Sequence, residues 1–338
     1  MHRHCGAFFH FSLDKGGFVC YNGFCINFKK ACMTMKKHLY AACVIFAGIF
    51  WATSCLFIDV FASLGFSSTD CTAIRMIFGA ILLHITLLIK GRGFRYYRID
   101  RHTLLLTALT GVCAVLGASY FYYLSIAMTS AAVGAILLNT APFFVMIMSL
   151  FLFSERLSAK KIAAFLIALV GCSLVSGVAG GVKLDALGIL FGVLSGLSYS
   201  LYSIFTSLYI KRGGHDSFTF ITFSFTFAAI ASLFICSPVG IMENVMCSES
   251  PLVTFLLFFA FGLATSVCPY LLYTTGLSGI RASVASILAF SEPLAAAVFG
   301  LIFLHQGLDI YGIIGIVMVT AAIILINLHP HKTEKEEG

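Results

Sequence analysis

Long apolar segments separated by short polar connections run along most of the chain. Ten of these segments approach the roughly 20 apolar residues that an α-helix needs to cross the hydrocarbon core of a bilayer. They lie at residues 39–61, 70–89, 103–125, 131–153, 160–177, 184–210, 217–236, 252–273, 282–304 and 308–328. The longest connection, residues 237–251, is too short for a soluble domain and is predicted to be a loop. The pattern predicts an all-α integral membrane protein with ten transmembrane helices.

The second half of the chain looks like a copy of the first. A run of small and apolar residues at 131–138 reaches Pro142 four residues later, and a similar run at 282–289 reaches Pro293 at the same interval. The two prolines are 151 positions apart, as are the starts of the two runs. Because each copy holds five spans, an odd number, the second copy enters the membrane from the opposite side. The fold is therefore predicted to be two inverted five-helix repeats, a pattern typical of secondary transporters.

A leader with a different texture precedes the first span. It mixes Gly, Phe, Cys and Lys without a helical period, and Met35 or Met33 is an alternative start, so it is open whether residues 1–34 are translated. Its four cysteines form no CxxC pair, so we expect no metal site there. The predicted parts of the chain are the leader (1–37), the first repeat (38–178), the second repeat (179–328) and a cytoplasmic charged tail (329–338).

Composition and charge agree with a membrane location and give it an orientation. The chain is 60% hydrophobic and 10% charged, against about 25% charged residues in a soluble domain. If the N-terminus is cytoplasmic, all but two of the 21 Lys and Arg residues fall in cytoplasmic segments, the exceptions being Lys183 and Arg75. The positive-inside rule then predicts a multi-pass protein of the inner membrane with both termini in the cytoplasm. The net charge of +7 reflects contact with anionic lipid rather than nucleic-acid binding.

The paired prolines are the first candidates for a functional site. A proline inside a helix leaves the carbonyl four residues earlier without its partner, and in lipid that carbonyl must face protein or water. Pro142 has Asn139 as a polar neighbour, and Pro293 directly follows Glu292. We expect two kinked helices that line a central cavity, with a packing kink as the alternative.

Glu292 is the most unusual residue, because a carboxylate near the middle of a span is costly. It is either a proton-carrying group, a counter-charge for a cationic substrate, or a hydrogen-bonded structural carboxyl. Arg75 lies near the outer end of its span, where it either pairs with Asp59 or reaches the interface. Tyr122 and Tyr199 belong to aromatic-rich spans and either line a substrate path or anchor the interface.

The chain lacks the short motifs that mark common enzymes. We find no GxGxxG fingerprint, phosphate loop, HExxH pair or nucleophile elbow. We therefore expect neither an enzyme nor a cofactor.

The chain resembles the EamA-type transporters of the drug/metabolite transporter superfamily over about residues 38–328. The first repeat carries Phe50-Trp51-Ala52, Arg75-Met76-Ile77-Phe78, Tyr122 through Pro142, and Phe153-Ser154-Glu155-Arg156-Leu157-Ser158. The second carries Gly196-Leu197-Ser198-Tyr199 and the stretch from Tyr273 through Glu292-Pro293. The family often has Glu shortly after the ninth span, where this chain has Gln306.

The resemblance implies gradient-driven secondary transport, usually export, of small metabolites such as amino acids, their derivatives or amphiphilic drugs. The leading hypothesis is a metabolite exporter that works by alternating access. Its site would comprise Glu292, Pro293, Asn139, Pro142, Tyr122, Tyr199, Tyr273 and Arg75. The expected partners are a small-molecule substrate, membrane lipid and protons as the coupling ion, with a homodimer as one assembly. The alternatives are a multidrug or organic-cation efflux protein and, against the short loops, a receptor or scaffold.

Overall fold

The computed structural model describes residues 18–21, 24–89, 99–176, 185–213, 216–305 and 309–327, with side chains from residue 36 onward. Helices make up nearly all of the described residues: α1 (Phe28–Ala52), α2 (Ser54–Ser63), α3 (Ser68–Ile89), α4 (Arg101–Leu109), α5 (Gly117–Met128), α6 (Ala131–Leu138), α7 (Ala141–Phe153), α8 (Ala159–Val175), α9 (Ala186–Lys211), α10 (Ser217–Ser232), α11 (Pro238–Cys247), α12 (Pro251–Gly262), α13 (Cys268–Leu277), α14 (Ala282–Leu288), α15 (Ser291–Phe303) and α16 (Ile310–Asn327).

Within the described ranges, eight continuous or nearly continuous helical stretches are long and apolar enough to cross a membrane. They are Lys36–Ser63, Ser68–Ile89, Arg101–Met128, Ala131–Phe153, Ala186–Lys211, Pro251–Leu277, Ala282–Phe303 and Ile310–Asn327. Two of the predicted spans correspond to shorter helices, α8 with 17 residues and α10 with 16. The chain is thus a helical, multi-pass membrane protein.

The leader, which was set apart from the membrane fold in the prediction, contains two short strands. Strands β1 (Phe18–Tyr21) and β2 (Phe24–Asn27) pair antiparallel, with Tyr21 opposite Phe24. The sequence between them is Asn22-Gly23, a dipeptide strongly favoured in two-residue hairpin connections. The Asn22-Gly23 dipeptide therefore indicates a hairpin, which the sequence analysis did not predict. The first helix also starts earlier than predicted, at Phe28 inside the leader.

The predicted loop at 237–251 is wrong, because most of it is helix α11. Ser237 Oγ accepts a hydrogen bond from Gly240 N at 3.1 Å, and Pro238 occupies the first turn. Ser and Pro are common in loops, but a Ser followed by a Pro is also a favoured helix start. Ile241 and Val245 on α11 pack against an aromatic cluster that includes Phe61.

Departures from regular helix recur at matching positions in the two halves. A π-helical turn joins α4 to α5 at Thr110–Leu116, and another joins α12 to α13 at Leu263–Val267. Ser154 and His305, the only non-glycine residues with positive φ among those described, both have φ 52°. Ser154 and His305 keep the 151-residue spacing of the prolines, and so do the last residues of the two π-helical turns, Leu116 and Val267.

The two ends of the helical bundle differ in charge. At one end, here called the Asp70 end, Asp70 accepts hydrogen bonds from Ser67 and, at 3.4 Å, from the backbone N of Ser237. At the other, here called the basic end, Lys161 Nζ lies 3.4 Å from Glu155 Oε2. This carboxylate also accepts a 2.5 Å hydrogen bond from Ser283 Oγ. These contacts tie together helices that are far apart in the sequence.

Candidate functional site

The proline-containing segment of the first half is broken rather than kinked. Helix α6 ends at Leu138 and α7 starts at Ala141, which places Pro142 in the first turn of α7, where a missing N–H is tolerated. Asn139 Nδ2 donates to the carbonyl of Ala135 at 2.8 Å. Thr140 Oγ1 donates to the carbonyl of Leu137 at 2.6 Å. Local side chains therefore bond to two of the carbonyls near the end of α6.

The second half has the same break with different polar groups. Helix α14 ends at Leu288 and α15 starts at Ser291, with Pro293 in its first turn. Here Ser291 Oγ donates outward, to the carbonyl of Ile45 on α1 at 3.1 Å. Glu292 lies beside it at the start of α15.

Each break is packed against a glycine that belongs to the other half of the chain. A Cβ on Gly196 would lie 2.7 Å from both Leu137 O and Thr140 Oγ1, and one on Gly48 would overlap the Ser291 hydroxyl. Glycine is required at both positions, because only the lack of a side chain lets the backbones approach so closely. Each half of the chain thus contributes a glycine that packs against the helix break of the other half.

A cavity of ≈ 240 Å³ lies beside the second break and extends toward the Asp70 end. Its lining includes four of the eight predicted site residues, namely Arg75, Tyr122, Tyr199 and Glu292. Aromatic rings form much of its wall: Trp51, Tyr122, Tyr123, Tyr199, Phe261 and Tyr270. The cavity touches both breaks, at Leu138 at the end of α6 and at Glu292 at the start of α15.

Two opposite charges line this cavity. Tyr199 Oη donates to Glu292 Oε2 at 3.3 Å, and Arg75 Nη2 donates to Ser119 Oγ at 2.6 Å. Both charged side chains are partly buried. The alternative pairing of Arg75 with Asp59 is wrong, because the guanidinium turns inward to Ser119 while Asp59 is exposed. Since neither charge has an ion-pair partner among the described residues, both are available to a solute.

The other predicted residues lie in a much tighter space. Asn139, Pro142 and Tyr273 line a crevice of ≈ 10 Å³ that also touches Tyr199. A space of this size holds about one water molecule. Pro293 lines neither the cavity nor the crevice. The structure therefore brings seven of the eight candidates into two adjoining spaces that meet at Tyr199, and leaves Pro293 outside both.

Trp51 was missed as a site residue. The centre of its ring lies 5.9 Å from that of Tyr199 and 5.3 Å from those of Tyr270 and Tyr273. Trp51 therefore contacts aromatic residues of both the cavity and the crevice. It is the single tryptophan of the chain, and its counterpart in the second half is Tyr199. Those two facts were the available signal, because a lone tryptophan matched to a candidate tyrosine is itself a candidate.

Half-helices that meet around a polar cavity place the chain in the class of multi-pass membrane transporters. A sequence profile described as the EamA-like transporter family matches residues 38–177 and again residues 186–328. The chain therefore belongs to the EamA-like transporter family, and the resemblance seen in the sequence is confirmed.

Relatives of known sequence carry transporter names without a substrate. The chain is 22% identical over 312 residues to the uncharacterized transporter YwfM of Bacillus subtilis (strain 168), covering 90% of this chain and 99% of the relative. It is 25% identical over 285 residues to an uncharacterized transporter of Archaeoglobus fulgidus, covering 84% and 94%. A solved crystal structure superposes with a TM-score of 0.69 at 17% identity, covering 86% of this chain and 97% of the other, which shows a shared fold.

Proposed function

We propose that this protein is a secondary active transporter that exports amino acids or their derivatives by alternating access, rather than an enzyme. The observation that carries the proposal is the presence of Arg75 and Glu292 in one aromatic-walled cavity. A zwitterionic solute presents a carboxylate to a guanidinium and an ammonium to a carboxylate. The rings of the wall suit an apolar or aromatic side chain.

The size of the cavity favours a small solute. Its volume of ≈ 240 Å³ is below the roughly 300–1,000 Å³ of pockets that enclose drug-sized ligands. An amino acid therefore fits this state of the protein better than an amphiphilic drug does.

Organic-cation efflux is the second candidate, and the aromatic wall supports it. A cation could lie over Trp51 or Tyr199 through cation–π contacts while Glu292 supplies the counter-charge. Arg75 counts against this candidate, because a second positive charge in the same cavity repels the solute.

The proposal includes ten transmembrane helices arranged as two inverted five-helix repeats, 38–178 and 179–328. The matching π-turns and breaks, the reciprocal glycine contacts and the two matches to the family profile support the duplication. Inversion follows if α8 and α10 also cross the bilayer, since each half then has an odd number of spans. With Lys and Arg on the inside, the basic end faces the cytoplasm and the cavity faces outward across the inner membrane.

An efflux assay on purified protein tests the transport proposal. Liposomes containing the protein are loaded with the 20 amino acids and a set of lipophilic cations, and the released solutes are identified by mass spectrometry. We expect selective release of one or a few amino acids, reduced by Arg75→Gln. Release of cations that Arg75→Gln enhances would support the second candidate instead. Release equal to that of protein-free liposomes for every solute would contradict both.

Protons are the proposed coupling ion, with Glu292 as the carrier. An imposed pH gradient should then accelerate release, whereas an equal potassium diffusion potential at constant pH should not replace it. The homodimer remains a prediction that the mass of the reconstituted protein would test.

A further inference from the structure

A third space lies on the same line as the cavity and the crevice. Along α9, Tyr199, Ser203, Ser207 and Lys211 recur every four residues and therefore share one helical face. Tyr199 lines the cavity, Ser203 the crevice, and both Ser207 and Lys211 a cleft of ≈ 330 Å³ at the basic end. At 1.5 Å per residue, this face runs for about 18 Å.

Residues of two other helices line the three spaces in the same order. Along α13, Tyr270 lines the cavity, Tyr273 the crevice and Leu277 the cleft. In the next broken helix, Ala289 lines the crevice and Ala282 the cleft. The cleft is thus in series with the cavity, and the crevice between them is the constriction.

The basic-end cleft carries an excess of positive charge. Lys211 and Arg281 line it, and Glu155 is its single lining carboxylate. That carboxylate is already bound by Lys161 and by Ser283. Its charge is therefore largely compensated inside the protein.

Among the described residues, neither of the two lining cations is in contact with a carboxylate, and an aromatic ring holds one of them in place. Lys211 Nζ lies 3.9 Å from the centre of the Phe153 ring, which holds it at the wall. Neither Lys211 nor Arg281 has a hydrogen-bond or ion-pair partner among the described side chains. Lys211 and its neighbour Arg212 are both exposed, but Lys211 lines the cleft and Arg212 does not. Positive groups that converge on an open space of this size attract anions.

We propose that the basic-end cleft is a second solute site, which binds a carboxylate between Lys211 and Arg281. This inference rests on the proposed transport function, since the cleft would receive the solute on the cytoplasmic side before the constriction opens. The carboxylate that Arg75 binds in the outer cavity would be the group that Lys211 and Arg281 bind here.

The test measures the charge and occupancy of the cleft without requiring transport. Ser278 is exposed and lines the cleft, so Ser278→Cys provides a reporter thiol. The variant is placed in phosphatidylcholine nanodiscs and treated with an anionic or a cationic methanethiosulfonate reagent. Each rate is divided by the rate of that reagent with a free thiol. Mass spectrometry of the peptide containing position 278 separates the reporter from native cysteines.

We expect the normalised anionic rate to exceed the cationic rate by about fivefold, as a positive local potential requires. Adding Lys211→Gln and Arg281→Gln should bring the two rates together, whereas adding Arg212→Gln should leave the preference unchanged. Sodium benzoate should slow modification at least twofold, and benzamide, its neutral counterpart, should not. If the double variant does not fold, Arg281→Gln alone should lower the preference.

Three results would overturn the proposal. One is equal rates for the two reagents, and another is equal protection by benzoate and benzamide. The third is protection by phosphatidylglycerol in the nanodisc without any benzoate, which would identify a lipid headgroup as the occupant. If the anionic preference and the protection by benzoate are both observed but no solute is released from liposomes, the proposed function is contradicted and the anion site stands.

Discussion

The two broken helices share a backbone and differ in chemistry. In the first, the side chains of Asn139 and Thr140 donate hydrogen bonds to carbonyls of their own segment. In the second, Ser291 bonds to α1 and Glu292 lines the cavity, where Ala141 is the counterpart of Glu292 in the first half. A repeated backbone thus supplies two equivalent helix breaks, and the difference between Ala141 and Glu292 places a carboxyl group at one of them.

The largest effect should come from removing that difference. Glu292→Gln keeps the shape of the side chain and deletes its charge, so pH-driven release should fall by about 100-fold, the scale of a lost proton-transfer group. Release from preloaded liposomes with and without a pH gradient measures the effect. Glu243→Gln, on exposed α11, is the matched control and should behave like the native protein. Unchanged pH-driven release by Glu292→Gln would remove the proton role.

The reciprocal glycines should show a large effect on stability. Gly48→Ala and Gly196→Ala each force a Cβ into the opposite break, and overpacking of this kind costs about 1–3 kcal/mol. Thermal unfolding in detergent should register a lower Tm for both. Ser291→Ala should partly rescue Gly48→Ala, because the nearest obstacle there is a hydroxyl. Thr140→Ala should rescue Gly196→Ala less, because a hydroxyl is the nearest atom by a wide margin only at Gly48; a backbone atom remains in both cases, Glu292 N at 2.8 Å and Leu137 O at 2.7 Å. Equal rescue of both would argue against the distinction.

A smaller effect should follow from removing one hydroxyl next to the charge. Tyr199→Phe deletes the hydrogen bond to Glu292, and a hydrogen bond to a charged acceptor contributes about 1.5–3 kcal/mol net. We expect a shift in the pH dependence of release and a severalfold change in KM. Tyr273→Phe is the paired control, because that hydroxyl bonds to Ser203 instead. A shift of the pH profile by Tyr273→Phe alone would reverse the assignment.

The smallest effect should arise at the first break. Asn139→Leu leaves the Ala135 carbonyl without its side-chain donor, at a cost of about 1 kcal/mol. Tm should fall slightly, while the pH dependence of release stays native. A changed pH dependence would mean that both breaks participate in coupling.

The sequence predicted eight helices that the structure shows to be long enough to span a membrane, and four of the residues that line the cavity, for a physical reason. Hydropathy marks spans because a lipid-embedded backbone must satisfy its own hydrogen bonds, which makes length and apolarity decisive. Arg75 and Glu292 could be recognised as candidates because charged residues are costly, and therefore rare, within membrane spans. Helix α11 and the leader hairpin were missed because Ser237-Pro238 and Asn22-Gly23 are local signals that can mark loops as well as helices and strands.

The sequence by itself determined that this chain is a duplicated, helical membrane protein with a proline in one segment of each half. Those properties depend on local composition and on spacing along the chain. Tertiary structure alone decided that Trp51 meets Tyr199 and that Gly48 meets Ser291. It also aligned Tyr199, Ser203 and Lys211 with three successive spaces. Helices within a bilayer gain little from apolar burial against each other, so shape and hydrogen bonding between distant segments select which faces meet.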